Sequence, residues 1–309
     1  MLGAINPAVL MAAVMVASTP ILLAALGEAV VERAGVLNLG VEGMMIIGAI
    51  CGFAAAVETG SPALGFLGGA LGGAALALVF GVLTQVMLAN QVAAGLALTL
   101  FGLGFSALIG QGYQGQKAPP TTAPDLGLLA DLPVVGPILF RHDAMVYAGL
   151  ALVVAVWAWL RWARSGLVLR AVGENHDAAH ALGYKVVRVR MAAILFGGAM
   201  AGLGGAYLSL VRVPLWTEGM TAGAGWVALA LVVFAAWKPW RVLLGAYLFG
   251  GIAALQLNLQ AAGVRVPVEY LSMSPYLVTI LVLVLISSGR AGARGGAPGS
   301  LGKPFHAAR

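Results

Sequence analysis

The side chains that could do chemistry are few, and the most conspicuous of them stand in one polar segment. The chain has four histidines, one cysteine and 11 acidic residues among 309. His176 and His180 are four residues apart, a spacing that places both imidazoles on one helix face and could bind a metal ion. No third ligand is evident, so a metal site is the weaker interpretation. Cys51 stands alone in an apolar run and cannot form an internal disulfide.

Motifs for catalysis and nucleotide binding are missing from the sequence. Gly302-Lys303 looks like the end of a phosphate-binding loop, but Ala297 occupies the position of the leading glycine and Pro304 follows the lysine. The zinc-protease, nucleophile-elbow and C-x-x-C patterns are also absent. We therefore expect no enzymatic activity, no metal, and no cofactor or ATP bound by this chain itself.

Composition indicates which class of protein carries these residues. Hydrophobic residues make up 61% of the chain and charged residues 9%, against about 45–50% and about 25% in soluble domains. With a mean hydropathy of +0.97, the chain could not cover its surface with polar groups in water, so its exterior must contact membrane lipid. The sequence predicts an all-α fold, a polytopic integral membrane helical bundle.

Nine apolar stretches approach the roughly 20 residues that a helix needs to cross a bilayer. They are residues 8–27, 39–57, 63–83, 92–110, 145–162, 191–211, 220–236, 242–262 and 275–288. Eight to ten spans fit the same pattern, because residues 28–42 are hard to place. Residues 1–289 then form one transmembrane domain and residues 290–309 a tail. The 44 glycines, in small-xxx-small pairs such as Gly198 and Gly202, predict close helix packing.

Basic residues predict the orientation. If the tail is cytoplasmic, 13 of the 17 lysines and arginines lie on the inner side, as the positive-inside rule requires, and the N-terminus lies outside. The inner loop is then 161–190, and the longest connection, 113–144, is extracellular. The formal charge of +6 follows from this topology, so no nucleic-acid partner is expected.

Charges, an asparagine and three glycines interrupt the apolar sequence near residues 31–43. A backbone break at membrane depth must line a cavity or be buried in protein, because unpaired backbone groups are costly in lipid. Asn38 could cap the helix that follows and place Glu42 in its first turn, where the helix dipole favours an acid. The alternative is that Asn38 and Glu42 border a translocation path, as discontinuous helices do in transporters.

The inner loop contains a short polar helix. Ala178, Ala181 and Leu182 follow helical spacing, and Gly183 provides a stop. About eight residues are too few to form a stable helix alone. The small-residue face suits insertion into a groove on a partner protein, and the alternative is a helix that rests on the membrane surface beside basic anchors.

These two segments resemble a known family, the permease subunits of bacterial ABC importers of the branched-chain amino acid and ribose class. The similarity is greatest to the branch for nucleosides and simple sugars. It rests on ERAGVLNLGVEGMM at 32–45 with PILLAALG at 20–27, GLVLRAVGEN at 166–175, GGAMAGLGGA at 197–206 and APGSLGKP at 297–304. His176, Tyr184 and Ala235 depart from the family pattern.

The resemblance implies a permease whose energy comes from elsewhere. Its expected partners are an ABC ATPase that binds the ATP and can carry two fused cassettes, a paralogous permease that forms a heterodimer with this chain, and an extracytoplasmic binding lipoprotein. The expected location is the bacterial inner membrane, with a cytoplasmic C-terminus.

The residues expected to couple to the ATPase lie in the inner loop: Gly173, Glu174, Asn175, Asp177, Ala178, Ala179 and Gly183. Asn38 and Glu42 are the candidates for the path. A secondary transporter or channel that works alone is the alternative function, although Glu42 is the only acid embedded in an apolar run and ion coupling has little to use.

Overall fold

The computed structural model describes residues 7–123, 127, 135–261 and 296–306, with single positions at 270, 273, 277, 280 and 284. These residues confirm the all-α class, and an isolated bridge between Lys117 and Leu215 is the only β pairing among them. The helices are Pro7–Arg33 (α1), Val41–Thr59 (α2), Pro62–Gly81 (α3), Gln91–Gly110 (α4), Val135–Leu139 (α5), Ala144–Trp162 (α6), Arg164–Glu174 (α7), His176–Ala181 (α8), Val186–Tyr207 (α9), Ala224–Phe234 (α10) and Pro239–Ala261 (α11).

Seven helices in the described part of the chain are long and apolar enough to cross a membrane. They match seven of the nine predicted spans. Predicted span 220–236 contains only the 11-residue α10, and predicted span 275–288 lies largely outside the described residues. The middle of the 113–144 connection is also outside them.

The first span continues six residues beyond its predicted end, to Arg33. Glu28 and Glu32 therefore lie inside α1, where both are buried. The expectation that Glu42 is the only acid embedded in a span is wrong, because the helix accommodates these two acids on its protein-facing side.

Helices α2, α3 and α9 pack through glycines, which confirms the predicted role of these residues. A Cβ on Gly48 would meet the Cα of Gly202, and a Cβ on Gly202 would meet the carbonyl oxygen of Gly69. Both approaches are closer than any side chain allows. Backbone contacts of this kind give dispersion and shape complementarity where lipid supplies no hydrophobic driving force.

Helix α4 provides a scale for depth in the membrane. With the 3-10 turn that follows it, it runs from Gln91 to Tyr113, about 34 Å at the α-helical rise. Gln91 accepts a hydrogen bond from the Leu37 amide, at the end of the bundle that carries α7 and α8, which we call the α8 end. Trp216 packs on Gly110, near the opposite end.

On this scale α10 begins near the middle of the membrane. Gly43 packs on Leu98, Thr99 and Gly102, close to the middle of α4, and Gly225 in the first turn of α10 packs on the backbone of Glu42. Trp237, just after α10, donates to Glu32 in the last turn of α1. Residues 216–223 therefore cross half the membrane without helical structure, and α10, about 16 Å long, crosses the other half.

The glycine packing can be tested by adding one methyl group. We expect Gly202→Ala to lower the free energy of unfolding in detergent by about 1–3 kcal/mol, because the backbones of α3 and α9 must separate. Gly104 on α4 has no atom within 4 Å of a built Cβ, so Gly104→Ala is the matched control and should cost nothing. Equal losses for the two variants would contradict the packing argument.

Candidate functional site

Two non-helical segments of the chain come together at Glu42. We call residues 34–40 the first break and residues 216–223 the second break. One carboxylate oxygen accepts hydrogen bonds from the Thr221 hydroxyl at 2.5 Å and the Gly223 amide at 2.9 Å, and the other accepts from the Gly225 amide at 2.6 Å. Gly223 has φ +85°, a conformation that glycine adopts without strain. The carboxylate thus pairs with amides at the start of α10 that have no partner within the helix, and it complements the positive end of the helix dipole.

Asn38 organises the other break. Its side-chain oxygen accepts from the Gly40 amide at 3.0 Å, and its side-chain nitrogen donates to Glu28 at 3.4 Å. The N-cap of α2 is Gly40, with no side-chain cap. The predicted capping role of Asn38 is therefore wrong, since Asn38 lies too early in the chain and stabilises the turn before the helix.

Both path candidates are buried within this chain, so the break is enclosed by protein, one of the two environments the sequence analysis required. Their role in a translocation path stays a prediction.

The predicted short helix forms the second candidate region. α8 has six residues, fewer than expected. The Asn175 side chain caps it by accepting from the Ala178 amide at 2.9 Å. The turn after it closes at Gly183, which has φ +87° and an amide that donates to the carbonyl of His180 at 2.8 Å. The local pattern predicted the stop at Gly183, whereas the cap by Asn175 was not predicted.

The predicted coupling residues, which lie in α8 and next to it, fall into an exposed group and a buried group. Glu174, Asn175, Asp177, Ala178 and Gly183 are exposed, whereas Gly173 and Ala179 are buried. The buried pair positions the helix within this chain. Contact of the seven residues with an ATPase stays a prediction.

Packing explains the burial of the two inward-facing residues. Ala179 belongs to a small cluster with Val172, Val186 and Phe305. Gly173 leaves no room for a side chain beside the carbonyl of Arg33.

Arg190 connects three separate parts of the chain at the α8 end. Its guanidinium is fully buried and donates to the carbonyls of Ala34 and Lys303, at 3.2 and 3.0 Å, and to Nδ1 of His176 at 3.0 Å. Ala34 begins the first break, His176 begins α8, and Lys303 lies in the tail. One buried cation therefore ties the break, the helix and the tail together.

The tail adds further hydrogen bonds to this connection. The Ser300 amide donates to the carbonyl of Gly173 at 2.9 Å, and the Ser300 hydroxyl accepts from the His176 amide at 3.2 Å. The Gly302 amide donates to the carbonyl of Gly35 at 3.2 Å. Residues 296–306 thus form a brace beneath α8, a role that the sequence analysis missed.

The two histidines pack against this brace. The rings of His176 and His180 pack edge-on against Phe305, at 5.4 and 5.2 Å. Nδ1 of His176 is used by Arg190, and among the described residues no three potential ligands come together. The pair therefore acts in packing and hydrogen bonding here.

Comparison with known proteins gives one family. The model described as "Branched-chain amino acid transport system / permease component" matches residues 10–286. The chain is 44% identical over 296 residues to a putative glucose ABC transporter permease of Haloferax volcanii, covering 89% of this chain and 90% of the relative. It is 33% identical over 292 residues to a nucleoside ABC transporter permease of Lactococcus lactis, covering 90% and 92%.

A guanosine ABC transporter permease of Bacillus subtilis is 32% identical over 316 residues, covering 96% of each chain. No solved structure is significantly similar to the chain.

Removal of the Glu42 carboxylate should destabilise the protein. We expect Glu42→Ala to lower the free energy of unfolding in detergent by about 3 kcal/mol, because three donors lose a charged acceptor in a buried site. Glu42→Gln keeps one acceptor oxygen and should cost less. Glu58→Ala, at the exposed end of the same helix, is the control. A Glu42→Ala variant as stable as Glu58→Ala would contradict the capping role.

The brace should loosen in acid. Burial, and then the neighbouring Arg190, lower the pKa of His176 below 6.5, with a smaller effect of Lys303 in the same direction and an opposing effect of Asp177. Above about pH 6.5, the unfolded value, the contact is complete. It weakens as the pH falls toward the lowered pKa, because protonation then favours the undocked state.

Spin labels on Leu182 and His306, in a Cys51→Ala background, can measure this effect. We expect the distribution of distances between the labels to broaden below about pH 6.5 and the His176→Gln variant to show no such change. The same broadening in both proteins would exclude His176 as the cause.

Proposed function

Since the chain belongs to the branched-chain amino acid transport system permease family, we propose that it is the membrane-spanning subunit of an ATP-driven importer for nucleosides or simple sugars. The relatives named for glucose, nucleosides and guanosine support this substrate class. Those relatives are transport subunits and not enzymes, and ATP hydrolysis belongs to a separate protein of the complex.

The exposed face of α8 is the observation that supports coupling to that ATPase. Asp177, Ala178 and Leu182 project from a helix whose opposite side is fixed by the brace. Leu182 is 77% exposed, an arrangement that favours burial in a groove of another protein. The basic residues Lys185 and Arg188 nearby are typical of a cytoplasmic surface.

The hydrogen bonds define a route by which movement of α8 can reach the membrane centre. An ATPase that displaces α8 also displaces His176, and through Arg190 the displacement reaches Ala34. Residues 34–40 then lead directly to Glu42, which holds the start of α10. In this mechanism, α8 and the two breaks move together to open the path on alternate sides.

A complete transporter needs further proteins. We propose a paralogous permease that shares the path in a heterodimer, a binding lipoprotein on the outer side and an ATPase that can carry two fused cassettes. The tail, which lies against α8, would then be on the cytoplasmic side. Solute selection would rest mainly with the binding lipoprotein, because few polar side chains line the described spans.

Docking of α8 can be tested with one bulky substitution. We expect Ala178→Trp to reduce ATP-dependent uptake of guanosine or glucose by the reconstituted complex by about tenfold or more, because a large ring prevents entry into a tightly packed groove. Ala151→Trp, at an exposed position of α6, is the control and should retain uptake. Ala179→Trp would instead disrupt the brace and lower stability.

Two outcomes would contradict the proposal. Uptake by this chain alone, driven by an ion gradient, would favour the secondary transporter. Normal ATP-dependent uptake by Ala178→Trp would exclude α8 as the docking element.

A further inference from the structure

An exposed column of residues leads from one end of the bundle toward its centre. Thr217, Glu218 and Ala222 are exposed along the non-helical segment before α10, and Trp226 follows in the first turn of α10. Trp226 is 37% exposed. Exposure therefore continues from the end opposite α8 to about the depth of Glu42.

This column cannot face lipid. Lipid-exposed backbone without regular structure does not occur in the hydrocarbon region. Irregular backbone at this depth is tolerated where it is buried in protein or lines a water-filled cavity. Because Thr217, Glu218 and Ala222 are exposed in this chain, the segment fits a water-filled cavity that the proposed partner permease would enclose.

The position of Trp226 is unusual for a tryptophan in a membrane protein. Tryptophans concentrate at the two membrane interfaces, where the indole contacts headgroups. Trp226 instead follows Gly225, whose amide bonds to Glu42 near the middle of the depth scale. Within the described residues no aromatic ring packs on it, whereas Trp157 contacts both Trp162 and Trp240. Ala222 and Ala230, four residues to either side of Trp226, carry small side chains.

We propose that Trp226 is a stacking residue of the translocation path, over which the flat face of a nucleobase or a sugar ring passes. This inference rests on the proposed function. An aromatic ring binds such faces through dispersion and the π-system, without donors or acceptors that would fix one orientation. Contact of this kind is strong enough to guide a solute and weak enough to release it, as conduction requires.

The first experiment tests whether position 226 contacts water. Cys51 is the only cysteine of the chain, so Cys51→Ala gives a background for Trp226→Cys. Leu100→Cys is the matched control, because Leu100 is 72% exposed at similar depth on the regular helix α4. In the reconstituted complex, a charged methanethiosulfonate reagent should label Trp226→Cys about tenfold faster, since the thiolate forms in water and not in lipid.

The second experiment tests stacking at the same position. Guanosine and glucose are the probes, and at least one should slow the labelling of Trp226→Cys while leaving Leu100→Cys unchanged. For the probe that protects, Trp226→Phe should keep its uptake and Trp226→Leu should lose about tenfold, because leucine is apolar but offers no ring.

The outcomes separate this inference from the proposed function. Labelling of Trp226→Cys no faster than that of Leu100→Cys overturns the position of Trp226 in the path, whether lipid or a partner permease covers it. Protection by neither probe, or equal uptake by the phenylalanine and leucine variants, overturns stacking. Wild-type uptake without ATP would overturn the ABC importer while leaving a fast labelling result, and with it the path, intact.

Discussion

In lipid, every backbone amide and carbonyl needs a partner within the protein, and at the start of α10 one carboxylate satisfies that constraint. Glu42 receives the hydroxyl of Thr221 and the amides of Gly223 and Gly225. Without this acceptor, a helix that begins in the membrane centre would leave its first amides unpaired. The position of α10, and the non-helical segment before it, therefore depend on a residue that lies 179 positions earlier in the chain.

The α8 end depends on a second buried charge. A guanidinium without a carboxylate partner is costly to bury unless neutral acceptors surround it, and Arg190 finds its acceptors in Ala34, Lys303 and His176. Because these three residues belong to the break, the tail and α8, the requirement to satisfy one side chain also joins three elements. The small size of α8 follows from this arrangement: six residues hold a helix only where caps and tertiary contacts replace length.

Features of the fold that depend on neighbouring residues could be predicted from the sequence. The stop at Gly183 follows from residue types at fixed spacing, and the break near Asn38 follows from polar residues within apolar sequence. Contacts between residues that are far apart in the chain leave no such pattern in the sequence. Residues 220–236 are equally apolar whether they form a full span or a half-helix after an irregular segment. Arg190, close to the start of an apolar span, was the available hint of a polar contact, but not of the tail that supplies it.

The electrostatics at the start of α10 also bear on the chemistry of the solute. Half-helices in other transporters direct free N-termini at anionic groups of the substrate. In this chain the corresponding amides of Gly223 and Gly225 are already bonded to Glu42, so the positive end of the dipole is neutralised and a negative charge remains beside it. On the proposed path, an anionic solute would lose its hydration at this depth and meet repulsion in return. A neutral solute with an apolar face and a polar edge meets no such barrier, and nucleosides and simple sugars have this character whereas their phosphates do not.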